Sequence, residues 1–137
     1  MNALSNPERR TPNTALLILV HGSPRASANE PMYQVVEEIR RRKLYTMVEA
    51  AFLECNEPSI PDAIDSCVQR GAESIVAVPY FLHTGNHVAD DLPTLLEEAQ
   101  ARHPQVAFLM GSFIGRAPEM TDILLERALA ARDAADR

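Results

Sequence analysis

Apolar residues along the chain follow two periods in turn. ALLILV, residues 15–20, is a continuous aliphatic run, too short for a helix of its own and suited to a strand buried on both faces. Beyond it Met32, Val35, Val36 and Ile39 recur at helical spacing, with Asn29 as N-cap and Pro31 in the first turn. Residues 46–54 read as a second strand, and Ile60, Ala63, Ile64, Cys67 and Val68 form the stripe of a second helix. Ser59 with Asp62 three residues on resembles a capping box, and Gly71 suits the position just past that helix. Residues 74–80 predict a third strand, Leu92, Leu95, Leu96 and Ala99 a third helix, residues 106–110 a fourth strand, and Ile123, Leu124, Ala128 and Leu129 a final helix.

Strict alternation of strand and helix implies parallel strands, because each crossover must carry the chain back to the starting edge and does so with a right hand. The expected class is therefore α/β: a flavodoxin-like, three-layer open parallel sheet of about four strands with helices on both faces. Residues 1–13, rich in Asn, Pro and charge, read as a flexible tail, and residues 14–137 as a single domain without internal repeats.

With 46% hydrophobic residues, 5% aromatics and no tryptophan, the core should be aliphatic. A net charge of −6 argues against nucleic acid as a partner, since phosphate binding draws on clustered cations. The one basic run, Arg40 to Lys43, closes the first helix, where cations offset the helix dipole. Cys55 and Cys67 form neither a CxxC pair nor a disulfide framework, and both read as core or near-core thiols of a reducing compartment, so the cytoplasm is expected. No apolar run approaches the roughly 18–20 residues of a membrane span, and residues 1–13 lack the apolar segment of a signal peptide, so no membrane partner is expected.

Three of the four histidines fall where strands end. His21 follows the first strand directly, Glu54 closes the second, and His83 and His87 flank Gly85 after the third. Parallel strands end at one edge, and ligands bind there, where strand order reverses. In a 2-1-3-4 order His21 would face the FLHTGNH loop across that switch point. A strand-end histidine can equally be a hydrogen-bonded loop residue, His83 reads as either a local or a participating group, and Asp90 and Asp91 read as helix caps. His103, at the far edge, reads as a helix-end cation. Two imidazoles and a carboxylate on one rim suit a divalent transition metal in an open or transient position, because a closed structural zinc site would normally add thiolates. HGS lacks the G-x-S-x-G elbow, and neither GxGxxG nor a Walker loop is present.

LVHGSPR, VEAAFLE, PSIPDAI and VPYFLHTGNHVADDLP, in that order, resemble the CbiX family of short-form chelatases over residues 17–115. The resemblance implies insertion of a divalent metal into sirohydrochlorin: cobalt toward cobalamin, or, as in close relatives, iron for siroheme or nickel for a methanogenic cofactor. The metal is then a substrate, with no permanently bound cofactor. The family's two metal-site histidines fall on His21 and His87 and its FLE glutamate on Glu54. Many members read HGSR where this chain reads HGSPR, which moves Arg25 by one residue. Ser23, Arg25, His83, Gly85 and Ser112, with Arg116 nearby, are the candidate contacts to the carboxylate-rich macrocycle. An imidazole, with an ordinary pKa near 6.5, can both hold a metal and accept a pyrrole proton. A flat macrocycle needs walls on both sides, so the resemblance also implies a homodimer. The rival readings are a metal or tetrapyrrole carrier, and a histidine-based phosphoryl or acyl transferase.

Overall fold

The computed structural model of the chain describes residues 3–136, apart from the side chain of His87. The elements run β1 (Thr11–Val20), α1 (Glu30–Arg42), β2 (Tyr45–Phe52), α2 (Ile60–Gln69), β3 (Ser74–Pro79), α3 (Asn86–Arg102), β4 (Ala107–Met110) and α4 (Glu119–Ala135). The four strands are parallel in the order β2-β1-β3-β4, the predicted α/β open sheet with β1 and β3 adjacent. Among the described residues no helix is long and apolar enough to cross a membrane.

β1 is the centre of the packing. Every residue from Thr14 to Val20 is buried, as a continuous apolar run between two other strands requires. Its side chains divide by parity: Leu16, Ile18 and Val20 face Met32 and Val36 of α1, while Leu17 and Leu19 face Ile60 and Ile64 of α2 and Leu96 of α3. Cys67 lies in the second of these layers, fully buried, and burial pushes its thiol pKa up. Helix α2 starts as its sequence predicts, with the Ser59 hydroxyl accepting from the Asp62 N–H at 3.2 Å, and Gly71 takes φ +101° just beyond its end.

Several expectations are corrected. β1 reaches back to Thr11, which pairs with Tyr45, so three residues of the expected tail belong to the sheet; a register shift between Thr11 and Ala15 accommodates Asn13 at φ 56°. Asn29 holds the N-cap position of α1 but is buried and helical, with no side-chain cap. Cys55 is exposed, not in the core. α3 begins at Asn86, so Asp90 and Asp91 sit in its second turn and are not caps. Among the described residues of α4 none is buried, although its apolar positions predicted packing.

His103 does end α3 at the edge opposite the strand ends, yet it is paired: its Nε2 lies 2.8 Å from Asp65 Oδ1 on α2, and Arg102 Nη2 donates to the same oxygen at 3.0 Å. The His103 hydrogen bond, followed by the Arg102 bond and charge, lowers the Asp65 pKa despite some opposing burial. A carboxylate with a depressed folded pKa contributes stability above its unfolded pKa, and that contribution is lost as pH falls through the folded value. Asp65 is well exposed, so the contribution is small. Asp65→Asn should therefore unfold at a slightly lower urea midpoint than wild type at neutral pH, and the difference should shrink as pH falls through about 3.9 and vanish only below the lowered folded value.

Candidate active site

The parallel register of β1 and β2 continues past both strands and builds the rim. Leu53 N–H donates to Val20 O at 2.9 Å and Glu54 N–H to His21 O at 3.1 Å. Successive pairing carries the backbone of Glu54 alongside that of His21. Their side chains then meet: His21 Nε2 stands 3.5 Å from Glu54 Oε1, with both side chains more than half exposed.

The other ring nitrogen decides what that contact means. His21 Nδ1 is 3.4 Å from the Gly22 carbonyl oxygen. In the tautomer where Nδ1–H donates to that carbonyl, Nε2 offers a lone pair toward an acceptor-only carboxylate. Two acceptors facing each other call for a cation between them, either a proton or a metal. With metal–nitrogen and metal–oxygen bonds of about 2.0–2.2 Å, ligand atoms at this separation subtend a roughly tetrahedral angle. Among the described residues no three His, Cys, Asp or Glu side chains group closely enough to hold a metal ion. The described residues thus supply a pair of donors on an open rim, which leaves positions for a third ligand.

Two loops hold the pair in place. Gly22 has φ +97°, and a Cβ there would stand 1.9 Å from the Glu54 carbonyl oxygen, so only glycine fits. Asn56 Oδ1 accepts the Ser23 N–H at 2.8 Å, joining the loop after β1 to the loop after β2. Nothing local in the sequence marks Asn56; it becomes a neighbour of Ser23 only when the strands pair.

The rim opens on a cleft of about 420 Å³ lined by His21, Tyr80, Phe81, Leu82, His83, Gly85 and Val88. The His21 ring meets Phe81 edge-on, with centroids 6.5 Å apart. The structure thus brings His21, Glu54, His83 and Gly85 together across the switch point. His87 is the second residue of α3, whose first turn borders this cleft through Gly85 and Val88; its side chain lies outside the described residues. The sequence reading passed over the apolar wall of Tyr80, Phe81, Leu82 and Val88, although a run of large apolar residues immediately before the two histidines was its available signal.

The candidate macrocycle contacts divide. The Ser23 hydroxyl oxygen accepts the Arg25 N–H at 3.1 Å, which shapes the turn and still leaves its proton to donate, and Arg25 is exposed. Ser112 lies outside the main cleft, in another of about 220 Å³ lined also by Thr84 and Arg116, and Val88 lines both. The Arg116 guanidinium stacks on Phe113 at 5.3 Å. A helix N-terminus favours anions, but α1 carries Glu30 and α4 carries Glu119 and Asp122 in their first turns, which oppose a carboxylate there. α3, capped by Gly85, has no acidic residue in its first turn.

An open, wholly parallel sheet with its cleft at the β1/β3 switch point places the molecule among the doubly wound α/β proteins. The chain belongs to the CbiX family, whose model matches residues 15–131. It is 33% identical over 112 residues to the chloroplastic sirohydrochlorin ferrochelatase of Arabidopsis thaliana, covering 82% of this chain and 50% of that protein. It is 34% identical over 113 residues to the sirohydrochlorin cobaltochelatase of Sulfolobus acidocaldarius, covering 82% of this chain and 88% of that protein. The sirohydrochlorin chelatase SirB of Bacillus subtilis subspecies spizizenii, solved in complex with cobalt, aligns with a TM-score of 0.77 at 29% identity, over 85% of this chain and 50% of that one. The chain spans about half the length of several curated relatives it matches.

Gly22→Ala should lower stability by about 3 kcal/mol or more, from backbone strain plus a backbone overlap, read as a fall in the urea midpoint. Asn56→Ala should loosen the rim and weaken cobalt(II) binding followed by its visible absorbance, whereas Asn56→Asp, which keeps the acceptor oxygen, should recover most of it. Equal binding by the alanine variant and wild type would show that the loop bridge does not set the rim.

Proposed function

We propose that this protein is a metal chelatase that inserts a divalent ion, cobalt(II) first, into sirohydrochlorin. The observation that carries the reading is the His21 Nε2 to Glu54 Oε1 pair, 3.5 Å apart at the edge of an open, apolar-walled cleft. Its support from kinship is that relatives matching most of this chain are named sirohydrochlorin ferrochelatase and sirohydrochlorin cobaltochelatase.

In this mechanism Tyr80, Phe81, Leu82 and Val88 receive a flat, largely apolar ring, and the ring's carboxylates reach outward to solvent, to Ser23 and Arg25, and to the first turn of α3 at Gly85. An acidic chain cannot draw a polyanion by net charge, so these local groups do so. His21 and Glu54 hold the incoming ion on one face of the ring, with His87 as the third ligand, and strip part of its water. As the ion leaves the side chains for the pyrrole nitrogens, two N–H bonds break, and the imidazole lone pairs it vacates on His21 and His87 take the two protons, with His83 as a further acceptor at the cleft. The ion crosses to the ring and the protons drain to solvent, as the exposure of His21 and His83 allows, which returns the site to its starting state. Ser112 and Arg116, in the adjoining cleft, meet a peripheral carboxylate.

Cobalt is the proposed ion, in a step toward cobalamin, because several relatives are named sirohydrochlorin cobaltochelatase; iron and nickel are the competing substrates, since affinity rises from iron to cobalt to nickel at nearly any such site and the ligand types do not name the ion. The reaction takes place in the cytoplasm, a placement supported by the free thiols of Cys55 and Cys67. A second copy of the chain supplies the far wall of the cleft.

Anaerobic mixing of cobalt(II) with sirohydrochlorin, followed by absorbance, should run faster with the protein than without it. His21→Ala and His87→Ala should each cost about 100-fold or more in kcat/KM, and Glu54→Gln less, with the urea midpoints of the His21 and Glu54 variants close to wild type because those side chains are exposed. Iron(II) and nickel(II) in the same assay rank the metals. A protein that binds sirohydrochlorin yet accelerates insertion of none of the three is a carrier, and the chelatase reading then fails.

A further inference from the structure

The chain between β4 and α4 keeps the register of the strands before it. Ala107 N–H donates to Glu73 O at 3.1 Å, Gly111 N–H to Ala77 O at 2.8 Å and Gly115 N–H to Phe81 O at 3.0 Å, so the linker advances equally with the segment beside it. The last of these bonds lies past the sheet, on the loop that walls the cleft with Phe81 and Leu82. Space, not backbone angle, requires glycine there. Gly115 has a φ outside the left-handed region, yet a Cβ on it would stand 1.6 Å from Leu82 O and 2.4 Å from the carbonyl carbon. The short turn Ile114–Arg116 presents that glycine, closed by Arg116 N–H to Phe113 O at 3.1 Å and Ala117 N–H to Ile114 O at 3.0 Å.

Little else ties this wall down. Tyr80 N–H donates to Leu19 O at 2.8 Å, and Phe81 packs on the core. Among the described residues Leu82, His83 and Thr84 then make no hydrogen bond, until Gly85 O accepts from Ala89 in the first turn of α3. Leu82 is 62% exposed, so burial does not fix it. A loop with so few ties samples several positions unless something presses on it. The Gly115 backbone supplies that contact.

The polar side of the cleft is held in the same manner by a different residue. Gly22 leaves no room for a Cβ against the Glu54 carbonyl, as Gly115 leaves none against that of Leu82. Each side of the cleft therefore has its own backbone clamp. α3, which carries His87, has a third anchorage, since Leu92, Leu96 and Ala99 lie in the core.

We propose that Gly115 is a positioning residue for the macrocycle: acting through Phe81 and Leu82, it sets where the ring rests, while the His21 and Glu54 pair, held from Gly22, sets where the ion waits. Ring placement and ion capture are then separable properties of one cleft. The nature of the ring is taken from the chelatase reading. Insertion needs the pyrrole nitrogens within reach of an ion that the other side holds, and a misplacement of about 1 Å can lower the rate by about 100-fold.

The test compares wild type with Gly115→Ala and Ile114→Gly by urea midpoint, cobalt(II) binding from its visible absorbance, sirohydrochlorin binding from its own absorbance, and insertion kinetics. Gly115→Ala should fold, because neither core cluster includes a residue of the linker. It should bind cobalt(II) within about 2-fold of wild type, while its Kd and KM for sirohydrochlorin rise about 10-fold. Amide hydrogen exchange should quicken at residues 81–85 and stay unchanged at residues 20–23 and 52–56. Ile114→Gly loosens the turn without adding an atom and should move the same quantities the same way by less; it decides the matter should the alanine variant not fold. Wild-type ring binding in a folded variant, or ring and cobalt(II) binding that weaken together, overturns the positioning role. Because the clamp is read in ring binding without turnover, a wild type that binds sirohydrochlorin and inserts no metal overturns the chelatase reading alone.

Discussion

Everything at the rim depends on the parallel pairing of β1 between β2 and β3. A strand whose residues from Thr14 to Val20 are all buried cannot slip by one position without turning its Leu17 and Leu19 side chains toward α1 and its Ile18 toward α2. The register that results places Val20 beside Phe52 and Leu19 beside Pro79. Beyond those pairs the backbone bonds run on, from Glu54 N–H to His21 O and from Tyr80 N–H to Leu19 O. The site is therefore an extension of the sheet's own hydrogen bonding, and its geometry is held by the core beneath it.

This arrangement lets the functional groups be exposed without being loose. His21 and Glu54 are each more than half in solvent, which suits the proposed capture of an ion from water and release of protons to it. Their backbones are fixed by the paired strand ends, by a glycine at φ +97° pressed on the Glu54 carbonyl, and by the Asn56 bridge to Ser23. The apolar wall from Tyr80 to Leu82 lies in the loop that follows the neighbouring strand β3, so one face of the cleft is polar and the other apolar. The exposed α4 and the exposed Leu109 and Met110 of β4 show the economy of a small domain, whose surface is large relative to the core it can build.

Much of this was legible beforehand because it rests on short-range rules. Buried parallel strands read as unbroken aliphatic runs, Ser59 sat where a cap belongs, and strand-end histidines fall on one edge in any parallel sheet. What misled were positions whose environment depends on distant residues. Asn29 has the chemistry of a cap and is buried as a helical residue, Cys55 has the chemistry of a core thiol and sits on an exposed loop at φ 68°, and Asp90 and Asp91 lost their capping role when α3 began at Asn86. The apolar residues Ile123, Leu124, Ala128 and Leu129 did mark a helix, and local spacing does not state what, if anything, covers it; among the described residues of α4 none is buried.

The chain's order of strands, helices and rim residues was thus determined by the sequence, through hydrophobic period, capping and the rule that parallel strands end together. The 3.5 Å approach of His21 to Glu54, the role of Asn56, the pairing of His103 with Asp65 and the isolation of α4 were decided only in three dimensions. Each of these joins residues that are far apart along the chain or concerns a surface left open. Local preference acts over a few neighbouring residues, and such contacts exist only once the strands have chosen their partners.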